Sequence, residues 1–350
     1  MEVDFGGEND VVFERRGCAG LIRLMRPAAL NALTHGMVKA MRRALTAWEA
    51  DLDVALIIVE GEGRAFCAGG DVAAAYRARL AGTPAHDFFA DEYRLNAKIK
   101  RYTKPYISFL DGIVMGGGAG ISVHGSHRIV TENTLFAMPE VGIGFFPDVG
   151  ASAFLPHLPG HFGLYLALTG NRIRWGDCLG TGIATHAIAS EATGRVRNML
   201  IETGDVAAAL ADTASPDFET GGETRQLIAE CFAEATLEDC IAALQGSADA
   251  GSDATAAILK TMESRSPTSL CVTSRQMAEG RALSMDDCMR MEYRIVTRML
   301  AGHDFYEGVR AALIEKDGKP RWQPSRLADV LPGDIDAYFA PLGTRELTLP

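Results

Sequence analysis

The chain has 350 residues, is 47% hydrophobic and 23% charged, and carries a formal net charge of −11. That is the profile of an ordinary globular protein of one large or two moderate domains, and its acidic balance argues against a nucleic-acid partner. The seven cysteines include no CxxC pair, no apolar run reaches the roughly 18 residues of a membrane helix, and the acidic start MEVDFGGEND shows no basic or Arg-rich leader, so a cytoplasmic protein without disulfides or membrane contact is expected.

In chain order, Val11–Phe13 and Gly20–Leu24 read as short strands. Thr34 is placed to cap a helix on which Met37, Met41, Leu45 and Trp48 share one face, with Arg42 and Arg43 on the other. The continuous branched run Val54–Val59 reads as a strand buried on both faces. It empties into the loop GEGRAFCAGGDV, where Asp71 is placed to cap a following helix. A helix is expected over Ala85–Arg101, then a strand over Tyr106–Val114 that empties into MGGGAG. A short helix around Ile121–His124 leads to extended runs at Arg128–Thr131 and Leu135–Met138. Repeated strand–helix units with glycine-rich exits predict an α/β protein.

Beyond about residue 160 the signals are helical: Phe162–Leu168, Ala187–Ile201, Arg225–Phe232, Leu237–Leu244, Ala254–Glu263 and Ser284–Leu300. In the last of these, Cys288, Met291, Ile295 and Met299 fall on one face. Gly246–Asp253 (GSADAGSD) reads as a flexible polar linker, and the region around Trp322 and Pro324 as an extended tail. A soft boundary near residue 200 divides a core over 1–200 from a helical region over 201–350.

Several familiar motifs fail on inspection. MGGGAGISV has valine where a dinucleotide fingerprint needs its last glycine, and Gly318-Lys319 is followed by Pro320, not the Ser or Thr of a phosphate loop. His157 and His161 are separated by Pro159 and Gly160, against a zinc-binding helix, and no GxSxG occurs. His124 and His127 read as solvated or locally hydrogen-bonded turn residues.

The stretch FAMPEVGIGFFPDVG, Phe136–Gly150, is different. Its two acids, Glu140 and Asp148, are the only formally charged side chains from Asn133 to Asn171, in apolar, glycine-rich surroundings. A carboxyl in such a setting has a raised pKa and serves as a base near neutrality; either acid would equally suit a helix start. Upstream, Phe66–Asp71 (FCAGGD) and Met115–Gly120 (MGGGAG) each leave an expected buried strand. Two such loops can aim two backbone N–H groups at one oxygen, or simply be tight turns. The residues alone therefore point to an enzyme with a carboxylate and an oxyanion hole, acting on a carbonyl.

The ordered segments GRAFCAGGDV, MGGGAGISVHG and FAMPEVGIGFFPDVG resemble the enoyl-CoA hydratase/isomerase (crotonase) superfamily, in particular its thioester-hydrolysing members. The resemblance continues through SPTSL, MEYR and GHDFYEGVRAALIEKDGKPRW and so spans most of the chain. It implies a crotonase-like spiral of ββα units binding an acyl-CoA, followed by helices. It assigns the catalytic acids to Glu140 and Asp148, and the oxyanion N–H groups to Ala68 and Gly117. It places Gly69, Gly70, Asp71 and Gly116 beside the substrate. Glu92, in DEYRLN, matches a further substrate-site acid or is a solvated acid on a helix face. Arg26 would meet the CoA phosphates or stand as an ordinary surface arginine. The implied reaction is thioester hydrolysis with no cofactor or metal, coenzyme A being part of the substrate. Hydratase or isomerase chemistry and non-catalytic acyl-CoA binding are the alternatives. A hydratase carries a glutamate where this chain has Gly120, which disfavours hydration. The resemblance further implies a homo-oligomer, or a monomer if the C-terminal helices cover the oligomer surface.

Overall fold

Strands in the first half of the chain alternate between two sheets. The computed structural model describes residues 1–83 and 85–349. The large sheet begins with β1 (Val11–Arg16) antiparallel to β2 (Ala19–Leu24). Helix α1 (His35–Ala50) follows, started by Thr34, whose hydroxyl accepts the Met37 N–H at 3.2 Å. Its Met37, Met41, Leu45 and Trp48 are buried, as the periodicity predicts.

Three units then repeat one pattern. The first holds β3 (Leu56–Gly61), β4 (Ala65–Cys67) and α2 (Val72–Leu80). Helix α3 (His86–Lys100) leads to the second, β5 (Tyr106–Leu110), β6 (Ile113–Met115) and α4 (Gly117–Gly120). The third is β7 (His127–Val130), β8 (Leu135–Ala137) and a 3-10 turn, Glu140–Ile143. The leading strands join the large sheet in the order β1-β2-β3-β5-β7-β9, with β9 at His186–Ala187. The second strands form a small parallel sheet, β4-β6-β8. This is the spiral of ββα units. Because β4, β6 and β8 run parallel, their carboxyl ends deliver Ala68–Gly70, Gly116–Gly117 and Pro139–Glu140 to one edge, the side of a parallel sheet on which ligands bind.

Apolar clusters cover both faces of the large sheet. One contains Ile57 and Val59, the other Ile58, Ile107 and Leu200, which is why β3 reads as a continuous apolar run. The first cluster continues without a break from Trp48 through Phe145 and Phe146 to Met291, Phe305 and Leu347. The second half is mostly helical, and its helix Met285–Met299 buries Cys288, Met291, Ile295 and Met299 as expected. All seven cysteines are free thiols, and no helix among the described residues is long and apolar enough to cross a membrane.

Several expected elements are corrected. The run Tyr106–Val114 is not one strand: the chain turns at Asp111–Gly112 and passes from the large sheet to the small one. The helix expected at Ile121–His124 lies one turn earlier, at Gly117–Gly120. The stretch Ala187–Ile201 is divided, ending strand β9 at Ala187 and entering an α-helix only at Thr193, after a 3-10 turn at Ser190–Ala192. The linker Gly246–Asp253 is mostly helix, since Leu237–Asp249 runs through Gly246 and Asp253 opens the next helix. Around Trp322 and Pro324 the chain has no regular structure, as expected, but it is not a tail, since it goes on to another helix, Pro332–Phe339.

Candidate active site

At the carboxyl edge of the small sheet lies a cavity of about 200 Å3. Its lining includes Ala68, Gly69, Gly70, Glu92, Gly116, Gly117, Glu140 and Asp148, eight of the ten residues singled out from the sequence. Phe88, Phe89, Ile143, Phe145 and Leu313 supply apolar walls. The two glycine loops touch here. A Cβ added to Gly117 would stand 3.0 Å from the Gly70 nitrogen and 2.6 Å from Glu92 Oε1. One added to Gly116, at φ +49°, would stand 2.7 Å from Glu140 Oε1. Only glycine lets backbone and carboxylates approach this closely.

The donors differ from the sequence expectation in one respect. The Ala68 N–H is already given to Leu30 O at 2.9 Å, so it is not free to bind a substrate oxygen. Leu33 takes up the next part of the loop, donating to Gly69 O at 2.8 Å and accepting from the Asp71 N–H at 3.0 Å. The Gly70 N–H is left without a protein acceptor among the described residues, beside Gly117. Gly117 is the first residue of α4, where an N–H has no carbonyl one turn back. Gly70 and Gly117, rather than Ala68 and Gly117, are the facing pair.

Three carboxyls share the cavity, all buried: Glu92 is 2% exposed, Glu140 6% and Asp148 4%. Glu92 is therefore not a solvated helix-face acid. Burial drives all three pKa values up. Glu92 is raised well above the carboxylate range by burial and then by the charges of Asp148 and Glu140. Glu140 is raised well above it by burial and by Asp148. Asp148 is pushed up by burial to about 7, held back by the Tyr93 hydroxyl, which donates to Oδ2 at 2.8 Å. Glu140 Oε2 and Glu92 Oε1 have no protein hydrogen-bond partner among the described residues. Acids so placed do not all ionise together; they titrate as a set. Neither Glu140 nor Asp148 caps a helix with its side chain.

Two expected substrate contacts fall outside this lining. Arg26 pairs with Asp71 at 3.1 Å and with Asp10 at 3.5 Å, and also donates to Ala32 O at 2.5 Å. Asp71 caps α2 through the Ala74 N–H at 2.9 Å and lines a neighbouring cleft of about 460 Å3 with His35, Lys39 and Phe88. That cleft and the cavity share Phe88. The part played by Tyr93 on Asp148 is not legible from the residues alone, since the two are 55 residues apart. His124, expected in a solvated or local setting, is buried; its Nε2–H donates to Val149 O at 2.7 Å, and burial holds its pKa down to about 4.

Comparison with known proteins gives a consistent setting. The profile of the family described as enoyl-CoA hydratase/isomerase matches residues 19–339. The protein named 3-hydroxyisobutyryl-CoA hydrolase, mitochondrial, from Rattus norvegicus is 44% identical over 353 residues, covering 97% of this chain and 90% of that one. The Homo sapiens protein of the same name is 40% identical over 351 residues, with coverage of 97% and 90%. Among solved structures, a carnitinyl-CoA dehydratase from Mycobacterium thermoresistibile superposes with a TM-score of 0.91 at 43% identity, covering 97% of this chain and 99% of that one. An enoyl-CoA hydratase from Rhodobacter sphaeroides 2.4.1 gives 0.88 at 37%, covering 97% and 100%. The crotonase fold expected from the sequence stands. The cytoplasmic location does not: both hydrolase relatives carry a mitochondrial designation, and the composition of a chain's first residues is a poor guide to compartment.

Proposed function

The chain belongs to the enoyl-CoA hydratase/isomerase family, and from that premise we propose that it hydrolyses an acyl-CoA thioester, converting 3-hydroxyisobutyryl-CoA and water to 3-hydroxyisobutyrate and coenzyme A. The observation that carries this reading is the pairing of Glu140 and Asp148 in one buried cavity beside the N–H groups of Gly70 and Gly117, neither of which has an acceptor among the described residues. The thioester oxygen would accept from those two N–H groups, which stabilise its developing negative charge. Glu140 then acts on the carbonyl carbon. It either attacks directly, giving an anhydride that water cleaves, or takes a proton from an attacking water. In both routes the C–S bond breaks, coenzyme A leaves as thiolate and takes up a proton, and water supplies the new oxygen. No metal or redox cofactor is required.

Asp148 would hold the substrate's 3-hydroxyl, or the water, and so reject acyl groups lacking that hydroxyl. The cavity's about 200 Å3 suits a short branched acyl group, while the rest of the CoA would run past Phe88 into the larger cleft edged by Lys39. A reaction of this kind serves valine breakdown.

The dehydratase and hydratase names of the two solved structures raise the hydration alternative. The surroundings of Gly120 weigh against it. A Cβ there would stand 2.6 Å from Val149 Cβ and 2.9 Å from Asn96 Nδ2, so the second glutamate of a hydratase has no room. The test is thiol release from 3-hydroxyisobutyryl-CoA, with Glu140→Gln as control. Release by the wild type, and a loss of at least about 10³ in the variant, is expected. Intact substrate, or unaltered turnover by the variant, overturns the assignment.

A further inference from the structure

Asp148 sits in a turn that its own sequence does not favour. The next residue, Val149, has φ +54°, a left-handed conformation in which a β-branched side chain is strained. Such a conformation persists only where the surroundings over-determine it. The contacts that do so come largely from the C-terminal helices. Glu292, on Met285–Met299, is fully buried and spans the turn: Oε2 accepts the Gly150 N–H at 2.8 Å, and Oε1 accepts the Ser152 N–H at 3.0 Å and the Ser152 hydroxyl at 2.6 Å. Gln276, on Pro267–Gly280, donates to Pro147 O at 2.6 Å and to Ser152 Oγ at 2.8 Å. The Gln276 donation occupies an acceptor position of the serine hydroxyl and turns its hydrogen toward Glu292. Every hydrogen-bond partner of the Glu292 oxygens is thus a donor, a set that suits a carboxylate. Burial raises the Glu292 pKa, and these donors draw it down, against the nearby Asp148 charge, to about 8.

We infer that Glu292 is a positioning residue for the hydrolysis: its carboxyl group fastens the strained turn Asp148–Ser152 to the C-terminal helices and so fixes the Asp148 carboxyl against the substrate. Glu292 does not line the cavity and touches no reacting atom; it acts through the Gly150 and Ser152 backbone. The inference rests on the hydrolase reading. A glutamine at 292 keeps the volume but must present an amide N–H₂ to one of the donors, which releases one side of the turn.

The test begins with wild-type thiol release from 3-hydroxyisobutyryl-CoA; its failure overturns the hydrolase reading and this inference together. With release established, Glu292→Gln is expected to lower kcat about 10- to 100-fold while KM moves less than about threefold. Ser152→Ala, which removes one of three donors and no charge, is expected to lower kcat about threefold to tenfold and serves alone if the first variant fails to fold. In a cycle with Asp148→Asn, the kcat loss from either substitution should largely vanish, because the carboxyl that the turn positions is already gone. A lowered melting temperature with wild-type kcat, or the same fold-loss with and without Asp148→Asn, would reduce Glu292 to a structural role and overturn the proposal.

Discussion

The glycine wall of the cavity and its acid wall are held in different ways. Ala68–Gly70 and Gly116–Gly117 leave strands β4 and β6 directly, and the first of these loops is fixed by Leu30 and Leu33 through backbone bonds. The turn Pro147–Ser152 leaves no strand. Side chains from Tyr93, His124, Gln276 and Glu292 hold it, and two of the four belong to helices beyond residue 260. One wall is set by local chain geometry, the other by packing across the molecule. Changes at the first should therefore act on chemistry through contact, and changes at the second through position and proton affinity.

The largest departure is expected at the glycine wall. Gly117→Ala places a methyl group 2.6 Å from Glu92 Oε1 and 3.0 Å from the Gly70 nitrogen, in the space where the thioester oxygen would sit. Loss of one such donor costs about 10²–10³ in kcat, and obstructing the space that both face should cost at least that. Thiol release within tenfold of wild type would mean that the two N–H groups do not form the oxyanion site.

This same contrast decides what the sequence could show. The strand exits FCAGGD and MGGGAG carry their geometry locally, and Glu140 and Asp148 stand out as lone charges in an apolar stretch. Which N–H of FCAGGD is free was not legible, because it depends on Leu30 and Leu33 pairing with the loop from more than thirty residues away. Helix α2, VAAAYRARL, was legible only through its cap, Asp71, because its alanines give no apolar stripe. Pro267–Gly280 escaped notice because Ser269, Thr273 and Gln276 are polar yet buried, their settings provided by neighbouring elements. GSADAGSD misled in the opposite direction: its small residues look like a linker, but helix–helix packing carries the helix through Gly246. Residues whose role lies in holding another element, such as Tyr93, leave no periodic or motif signal.

A smaller effect is expected at the acid wall from Tyr93→Phe, which removes the hydroxyl donated to Asp148. That hydrogen bond lowers the Asp148 pKa, which stands near 7 with it in place. Without it the carboxyl is protonated over a wider range, so the acid limb of the kcat–pH profile should move to higher pH. About a tenfold loss at neutrality should accompany the shift, most of it recovered in more alkaline buffer. A pH-independent loss would assign Tyr93 to packing alone.

The smallest effect reads the acid wall through stability rather than rate. In the folded chain burial raises Asp148 from the ordinary aspartate value to about 7. Between roughly pH 4 and pH 7 the folded state therefore keeps a proton that the unfolded state, titrating at about 3.9, has released. The folded state binds more protons, so this group's contribution to stability falls as pH rises through that window, and its cost is complete above the folded value. Asparagine carries no such proton. Asp148→Asn also removes a charge that raises the pKa values of Glu140 and Glu92, which works in the same direction. The variant should thus melt about 2 °C above wild type at pH 8, on the scale that about 1 kcal/mol shifts a chain of a few hundred residues, and the gap should close toward pH 4. A gap of constant size across that range would place Asp148 in an ordinary solvated setting, and the acid wall would then differ from the glycine wall in sequence origin only, not in its electrostatics.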